Sequence, residues 1–285
     1  MPSTPADAAK RLRDAQYIVD DDFATVIFLA LQLGKPMLLE GAPGVGKTEA
    51  AKALADMLGR ELVRLQCYEG IDAAAALYEW NYPRQLLALR RNEGDNIDLY
   101  EDQFLIERPL LQALKAGDRT ILLIDEIDRA DHEFEAFLLE FLSDFQISIP
   151  EIGVQRAMAR PVVVLTSNRT RELHEALRRR CVYHWIDYPT SELEAQIIMM
   201  RASHIARRAA HAVVAAVGEL RTIPLSKPPG ISEAIDWAEG AALLREQGTP
   251  WPEALRRSLG LALKDEEDLE FTDDKIDALL VRAVG

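Results

Sequence analysis

One stretch of the chain has the residue types and spacing of a phosphate-binding loop. GAPGVGKT, residues 41–48, fits the pattern G-x-x-x-x-G-K-[ST] between an apolar run typical of a strand and a run typical of a helix. Glycines let backbone N–H groups turn toward phosphate oxygens, and a helix N-terminus adds a positive dipole end. We predict that Lys47 contacts the β- and γ-phosphates of a nucleoside triphosphate and that Thr48 offers its hydroxyl to Mg²⁺. The predicted nucleotide-binding residues of this loop are Gly41, Ala42, Pro43, Gly44, Val45, Gly46, Lys47 and Thr48.

Two neighbouring carboxylates end a strand-like apolar run. In ILLIDEID, Asp125 and Glu126 close the run, where two like charges need a nearby cation to offset their repulsion. We predict that Asp125 and Thr48 hold Mg²⁺, in part through water, because this ion keeps much of its hydration shell. Glu126 is predicted to orient the attacking water and to accept its proton.

Asn168 follows another apolar run, VVVLTS. In a parallel sheet, ligands gather at the carboxyl ends of the strands. We therefore predict that the Asn168 amide fixes the attacking water or the γ-phosphate, as a third catalytic residue beside Lys47 and Glu126. The alternative is a turn or a helix cap, which is a common role for asparagine.

The order of the apolar patterns predicts an α/β fold. Strand-like and helix-like runs alternate over roughly the first two thirds of the chain, which is typical of a parallel sheet covered on both faces. After about Pro189 the pattern is helical, with a breaker-rich link at residues 224–230. We expect residues 1–188 to form a three-layer nucleotide-binding core, with residues 1–16 as a flexible arm, and residues 189–285 to form a small all-α lid domain.

Composition limits the classes of function. The chain has 285 residues, 48% of them hydrophobic, and a net charge of −14. Because nucleic-acid binding depends on cations that meet phosphates, this charge opposes it. Cys67 and Cys181 stand far apart and predict two reduced thiols. Neither a membrane-spanning run nor an apolar N-terminal signal segment is evident, so we expect a cytoplasmic protein with no transmembrane segment.

These motifs, in this order and followed by a helical part, resemble the AAA+ ATPases over roughly residues 15–260. DEIDRA and the hairpin-like ISIPEIG are similar to the MoxR branch of that family. CYEGIDAAAALYEWNYPRQLLALR, RRRCVYHWIDYP and KPPGISEAIDWA resemble the ATPases that accompany maturation of molybdenum-containing carbon monoxide dehydrogenase. The resemblance implies ATP and Mg²⁺ as ligands, and a client metalloenzyme or its maturation factors as partner.

The resemblance also gives a role to one of three consecutive arginines. AAA+ proteins place an arginine after the strand that ends here near Asn168, where it points into the ATP site of the neighbouring subunit. Arg180 matches this position best and Arg179 second, while Arg178 is interpreted as a solvated cation at a helix end. A guanidinium is always charged and bridges two phosphate oxygens. Such a contact between subunits predicts a closed ring, in this family usually of six.

Two further expectations come from the same resemblance. Tyr17, Ile18 and Val19 match a linker that lines the adenine pocket, and we predict that Ile18 and Val19 bind the nucleotide. The family commonly has an arginine at the start of a lid helix, but this chain has Ser232 and Glu233 in the corresponding segment PPGISEAIDW. No lid arginine can therefore be assigned, and we expect Glu233 to point to the N-terminus of its own helix.

The combined prediction is a Mg²⁺-dependent ATPase that remodels a client protein during metalloenzyme maturation. One alternative is an ATP-gated assembly module with little turnover, which the missing lid arginine favours and the pair of Asp125 and Glu126 opposes. A second alternative is a motor or loader on nucleic acid, which the net charge opposes.

Overall fold

The computed structural model describes residues 1–91, 98–202 and 204–284. The chain divides into two compact units, each with its own apolar core. Unit 1 consists of Met1–Ala15, Val19–Glu40 and Thr48–Trp185, and unit 2 consists of Gln16–Ile18, Gly41–Lys47 and Ile186–Gly285. The sequence prediction assigns the phosphate loop to the core, whereas residues 41–47 group with the helical unit because most of their contacts lie there.

The described residues form one five-stranded sheet and two two-stranded sheets. The strands are β1 (Met37–Gly41), β2 (Glu61–Gln66), β3 (Tyr78–Trp80), β4 (Leu105–Glu107), β5 (Thr120–Asp125), β6 (Gln146–Ile149), β7 (Gly153–Arg156), β8 (Val162–Ser167) and β9 (Val182–Ile186). The large sheet is parallel and has the order β2-β5-β8-β1-β9, while the pairs β3-β4 and β6-β7 are antiparallel. The fold is therefore the α/β class that the sequence predicts.

Strand position explains the strand sequences. The six residues of β5 are all buried, as expected for a continuous apolar strand in the interior of a parallel sheet. The edge strand β2 instead alternates, with Val63 and Leu65 buried and Arg64 and Gln66 exposed. In the register Gln66 pairs with Asp125, so polar side chains of β2 reach the carboxyl end of β5.

The described part of the chain has eight α-helices before β9. They are α1 (Pro5–Asp14), α2 (Asp21–Leu33), α3 (Lys47–Leu58), α4 (Ala73–Leu77), α5 (Tyr82–Arg91), α6 (Pro109–Ala116), α7 (His132–Asp144) and α8 (Glu175–Arg180). Their ends follow local chemistry. The Asp20 side chain accepts the Phe23 N–H at 2.7 Å and caps α2, which ends at Gly34 with φ 61°.

The N-terminal segment differs from the prediction of a flexible arm. Residues 5–14 form α1, which begins with Pro5 and with a Thr4 side chain that accepts the Asp7 N–H at 3.1 Å. Ala8 and Leu12 are fully buried. The expectation was wrong because these two side chains, four residues apart on one face, stabilise by their burial a short helix whose overall composition is polar.

Unit 2 is helical. Its helices are α9 (Ser191–Arg201), α10 (Arg207–Thr222), α11 (Ile231–Glu246), α12 (Trp251–Arg257) and α13 (Glu266–Val284). Trp237 is fully buried in their core, and its indole N–H donates to the Leu255 carbonyl at 3.0 Å. Within the described part of the chain, no helix is long and apolar enough to cross a membrane.

Candidate functional site

The phosphate loop, residues 41–47, links the end of β1 to the start of α3. Gly44 and Gly46 have φ of 78° and 96°, a region that side chains other than glycine rarely adopt. A Cβ on Gly41 would lie 2.3 Å from the Ile186 carbonyl oxygen, so only glycine fits there. The buried Lys47 ammonium donates to the carbonyls of Gly41 and Ala42, each at 2.8 Å. A positive charge is therefore held against the backbone of the loop.

Thr48 and Asp125, the two predicted metal ligands, lie together. Thr48 Oγ1 is 3.1 and 3.2 Å from the two carboxylate oxygens of Asp125, which is 2% exposed. Hydroxyl and carboxylate oxygens are hard donors of the kind that Mg²⁺ prefers. The two side chains therefore fit a Mg²⁺ site. Among the residues that the structure describes, no cluster of three histidine, cysteine or acidic side chains forms another candidate metal site.

The Asp125 carboxylate has two more partners that the sequence did not indicate. Thr166 on β8 donates its hydroxyl to Asp125 Oδ1 and accepts the Glu126 N–H at 2.9 Å. Arg64 on β2 donates to Asp125 Oδ2 from Nε at 2.9 Å and lies 2.6 Å from it through Nη2. Both residues lie on strands adjacent to β5, so their contacts with Asp125 can be predicted only when the order and register of the strands are known.

Glu126 has an unusual backbone and a well-oriented side chain. Its φ of 55° and ψ of 50° lie in the left-handed region, where residues other than glycine are uncommon and often functional. Glu126 Oε2 accepts from Gln66 at 3.1 Å and pairs with Arg129 at 3.2 Å. Glu126 Oε1 lies 3.4 Å from the Asn168 amide nitrogen. The structure thus brings together the predicted base and the predicted amide, and it adds Gln66 and Arg129.

The turn after β8 is fixed by a buried carboxylate. Asp128 is 2% exposed, and it accepts the backbone N–H of Asn168 at 3.1 Å and that of Thr170 at 2.9 Å. The second aspartate of DEID therefore orients the segment that carries Asn168. The Asn168 side chain faces Glu126 and its backbone N–H is held by Asp128, while its role in hydrolysis stays a prediction.

The three consecutive arginines have different surroundings. Arg178 lies in the last turn of α8 with its side chain 38% exposed, as expected for a partly solvated cation at a helix end. It also lies 3.9 Å from the buried Glu40 carboxylate and 5.4 Å from the Tyr183 ring centroid, two contacts that the sequence did not indicate. Arg179 pairs with Glu175 on its own helix. Arg180 is exposed, and within the described ranges no carboxylate pairs with it.

The linker before α2 reaches the phosphate loop through Tyr17. Its hydroxyl donates to the Gly46 carbonyl at 3.3 Å. The sequence assigns Tyr17 to the adenine pocket together with Ile18 and Val19, and all three residues are half-buried. Tyr17 is therefore the residue of this linker with a described contact to the loop.

The two cysteines are free thiols, as the sequence predicts. Burial, together with the weaker effect of the nearby carboxylates of Asp125, Asp128 and Glu126, raises the pKa of Cys67 to about 12. Burial also raises the pKa of Cys181 to about 12, against the opposing charge of Arg180. Both groups are neutral near neutral pH.

Residues 37–186 match the AAA family, the ATPase family associated with various cellular activities. The match spans more than half of the 285 residues, and the chain belongs to this family. The matched segment contains the phosphate loop, Asp125, Glu126 and Asn168.

Relatives of similar length are found in staphylococci. An uncharacterized protein of Staphylococcus saprophyticus is 26% identical over 247 residues, which cover 84% of this chain and 88% of that protein. An uncharacterized protein of Staphylococcus haemolyticus is 26% identical over 272 residues, which cover 92% and 97%.

Two mutant structures of RuvB from Thermotoga maritima share the fold. One has a TM-score of 0.53 at 18% identity and covers 93% of this chain and 72% of that chain. The other has a TM-score of 0.50 at 19% identity and covers 97% and 80%. The likeness shows an AAA+ fold, in which a parallel α/β sheet is followed by a helical region.

Proposed function

We propose that the protein is a Mg²⁺-dependent ATPase of the AAA+ type. The observation that carries the proposal is the set of contacts at the end of β5, where Asp125 meets Thr48 and Glu126 meets Asn168. Membership of the AAA family supports nucleotide binding. We assign residues 1–188 to the nucleotide-binding core and residues 189–285 to the lid.

Each assigned residue has a distinct task in hydrolysis. Lys47 and the loop N–H groups bind the phosphates of ATP, while Ile18 and Val19 line the adenine site. Glu126 takes a proton from water as the water oxygen bonds to the γ-phosphorus. The bond from that phosphorus to the bridging oxygen then breaks, and ADP leaves with phosphate.

The remaining groups at the strand ends assist this step. The Asn168 amide holds the attacking water or the γ-phosphate. Gln66 and Arg129 orient the Glu126 carboxylate. Held by Thr48 and Asp125, Mg²⁺ supplies positive charge that offsets the charge on the phosphate oxygens.

We propose that Arg180, rather than Arg179, completes the ATP site of a neighbouring subunit in a ring, in this family usually of six. Arg180 is exposed, whereas Glu175 pairs with Arg179 and Glu40 lies near Arg178. A long unpaired guanidinium suits the recognition of phosphate on another chain. Loss of such a residue lowers turnover by about 10³-fold or more in related phosphoryl-transfer systems.

We further propose that the client is a metalloenzyme, such as a molybdenum hydroxylase, or one of its maturation factors in the cytoplasm. Support comes from the stretches that resemble the ATPases accompanying maturation of molybdenum-containing carbon monoxide dehydrogenase, among them RRRCVYHWIDYP and KPPGISEAIDWA. Co-expression with such an enzyme tests the proposal through the metal content of the purified client. Equal metal content with wild type and with Glu126→Gln would exclude this role.

Steady-state phosphate release tests the ATPase proposal. Glu126→Gln should lower kcat by about 100-fold or more, because it removes the base but keeps a hydrogen-bonding side chain. Glu133→Gln, an equal change of charge at an exposed position of α7, should leave kcat unchanged. If wild type and Glu126→Gln release phosphate equally slowly, the ATP-gated assembly module is the better description.

Light scattering after size exclusion tests the ring. The Glu126→Gln variant should change from monomer to a closed oligomer when Mg²⁺ and ATP are added, because blocked hydrolysis traps the assembled state. Glu126→Gln/Arg180→Ala should lose this change. A monomer that binds ATP under both conditions contradicts a ring formed by this chain alone.

A further inference from the structure

Within unit 2, the first turn of α11 lies directly against the phosphate loop. The Ile231 N–H donates to the Gly44 carbonyl at 2.9 Å. A Cβ on Gly230 would lie 2.7 Å from Gly44 Cα, a distance that Cβ atoms essentially never show. Gly230 has φ −83°, which any residue adopts, so glycine is needed here for space and not for backbone conformation. Two glycines thus allow the backbones of helix and loop to touch.

Arg221 holds the turn that brings Gly230 to the loop. Its Nε donates to the carbonyl of Pro229, the residue before Gly230, at 2.9 Å. Its two terminal nitrogens donate to the two carboxylate oxygens of Glu194 at 2.9 and 2.8 Å. The side chains of Arg221 and Glu194 are only 15% and 2% exposed. A bidentate ion pair of this kind fixes the orientation of the guanidinium.

The same guanidinium supports a second contact with the loop. It lies 4.2 Å from the ring centroid of Tyr188, and the Tyr188 hydroxyl donates to the Pro43 carbonyl at 3.3 Å. Stacking of a cation on the ring restricts the position of the tyrosine. Arg221 therefore connects to Pro43 through Tyr188 and to Gly44 through the 229–231 turn.

Glu233 completes the turn, as the sequence predicts. Its carboxylate accepts the Gly230 N–H at 3.1 Å, at the N-terminus of its own helix. A Cβ on Gly44 would lie 3.6 Å from Glu233 Oε2. Glu233 lies in the segment where AAA+ ATPases commonly have a lid arginine, and here it stabilises the turn that touches the loop.

We propose that Arg221 is a positioning residue for nucleotide binding, which holds Pro43 and Gly44 of the phosphate loop through Tyr188 and the 229–231 turn. The inference rests on the proposed binding of ATP and deepens it. We call the contacts of Arg221, Tyr188 and residues 229–231 with the loop the clamp. A loop fixed in its binding conformation loses less entropy when a phosphate binds, so the clamp raises the affinity for ATP. Arg221 acts on the loop through other residues and carries no chemical step.

Glycine substitutions separate the close contact from general stability. Gly230→Ala should weaken binding of a fluorescent ATP analogue by about tenfold in a Glu126→Gln background, because the added methyl displaces the loop. Gly218→Ala is the matched control, since nothing lies within 4 Å of a Cβ at this position in α10. It should bind the analogue as tightly as its parent and melt slightly higher, because alanine favours helix.

Arginine substitutions test the clamp at its centre. Arg221→Lys keeps the charge but loses the bidentate pair. It should weaken binding of the same ATP analogue and raise KM, each by about tenfold, while kcat changes less than about threefold. Arg245→Lys is the control, because Arg245 stacks on Trp251 at 5.7 Å in the same unit and bonds to the Thr249 carbonyl. This control should keep both constants.

Three outcomes of these measurements test the proposed role of Arg221. Weaker binding by both Gly230→Ala and Arg221→Lys, with both controls unchanged, supports the clamp. Unchanged affinity in both variants overturns it, also when their melting temperatures fall, because the role is then only structural. If wild type itself binds no nucleotide, the proposed ATPase function fails first and the clamp fails with it.

Discussion

The phosphate loop and the acidic end of β5 are held in opposite ways. The loop is held by its backbone, since the carbonyls of four of its residues accept from Lys47, Tyr188 and Ile231. The end of β5 is held by its side chains, because donors from two adjacent strands reach the carboxylates of Asp125 and Glu126.

The difference divides the expected defects into two kinds. A backbone-held loop tolerates many side chains but depends on its glycines and on the donors that reach its carbonyls. A side-chain-held carboxylate depends on each neighbour that sets its orientation and charge. Changes at the loop should therefore alter binding, and changes at the end of β5 should alter turnover and metal dependence.

The largest effect on ATP affinity is expected for Lys47→Ala. The change removes the ammonium that donates to Gly41 and Ala42 and that we assign to the phosphates, so ATP affinity should fall by roughly 100-fold. Titration calorimetry measures this loss. Lys52→Ala, which removes an exposed lysine of the same helix, should bind as wild type does. If Lys47→Ala bound ATP as tightly as wild type does, Lys47 would not be a phosphate-binding residue.

Thr166→Val should have a smaller effect on a different quantity. The substitution keeps the shape but removes the donor to Asp125 and the acceptor for the Glu126 N–H. We expect kcat to fall by about tenfold with ATP affinity unchanged, because one catalytic orienting group is lost. A change confined to affinity would contradict the division between the two regions.

Arg64→Met should have a still smaller effect and the opposite sign. Arg64 pairs with the carboxylate that we assign to Mg²⁺, so it competes with the ion. Its removal should tighten Mn²⁺ binding to the nucleotide complex by about threefold, as measured by electron paramagnetic resonance; the effect is small because the Arg64 side chain is half exposed. Arg119→Met, at an exposed site, is the control. Weaker Mn²⁺ binding would show that Arg64 orients Asp125 instead.

The smallest effect is expected from thiol chemistry. Because burial raises the pKa values of Cys67 and Cys181 to about 12, both remain protonated and unreactive well above neutral pH. Iodoacetamide at about pH 8 should therefore leave ATP turnover unchanged, while the unfolded chain reacts at both sites. Mass spectrometry counts the modified thiols. Rapid labelling of the folded protein would contradict their burial.

Local patterns predict the residues of both regions but not the contacts that hold them. GAPGVGKT and ILLIDEID each carry their chemistry within a few residues. Arg64 and Thr166 gain a role only from the register of the sheet, which joins segments distant in the chain.

The residues of the clamp could not be predicted from the sequence. Tyr188, Arg221 and Gly230 have no shared motif and meet through helix packing within unit 2. The segment around Glu233 showed only that the expected arginine was missing. The contact between Gly230 and Gly44 joins two segments that are distant in the chain, so no local pattern indicates it.

A single turnover of bound ATP tests the central claim most directly, because it separates binding from chemistry. Each protein is mixed in excess with γ-labelled ATP and Mg²⁺, and both the bound fraction and the released phosphate are counted over time. We predict that wild type binds and cleaves the ATP, that Glu126→Gln binds it and returns it intact, and that Lys47→Ala binds only a small fraction of it at a protein concentration that just saturates wild type. Cleavage by Glu126→Gln at the wild-type rate would contradict the assignment of hydrolysis to the acidic end of β5.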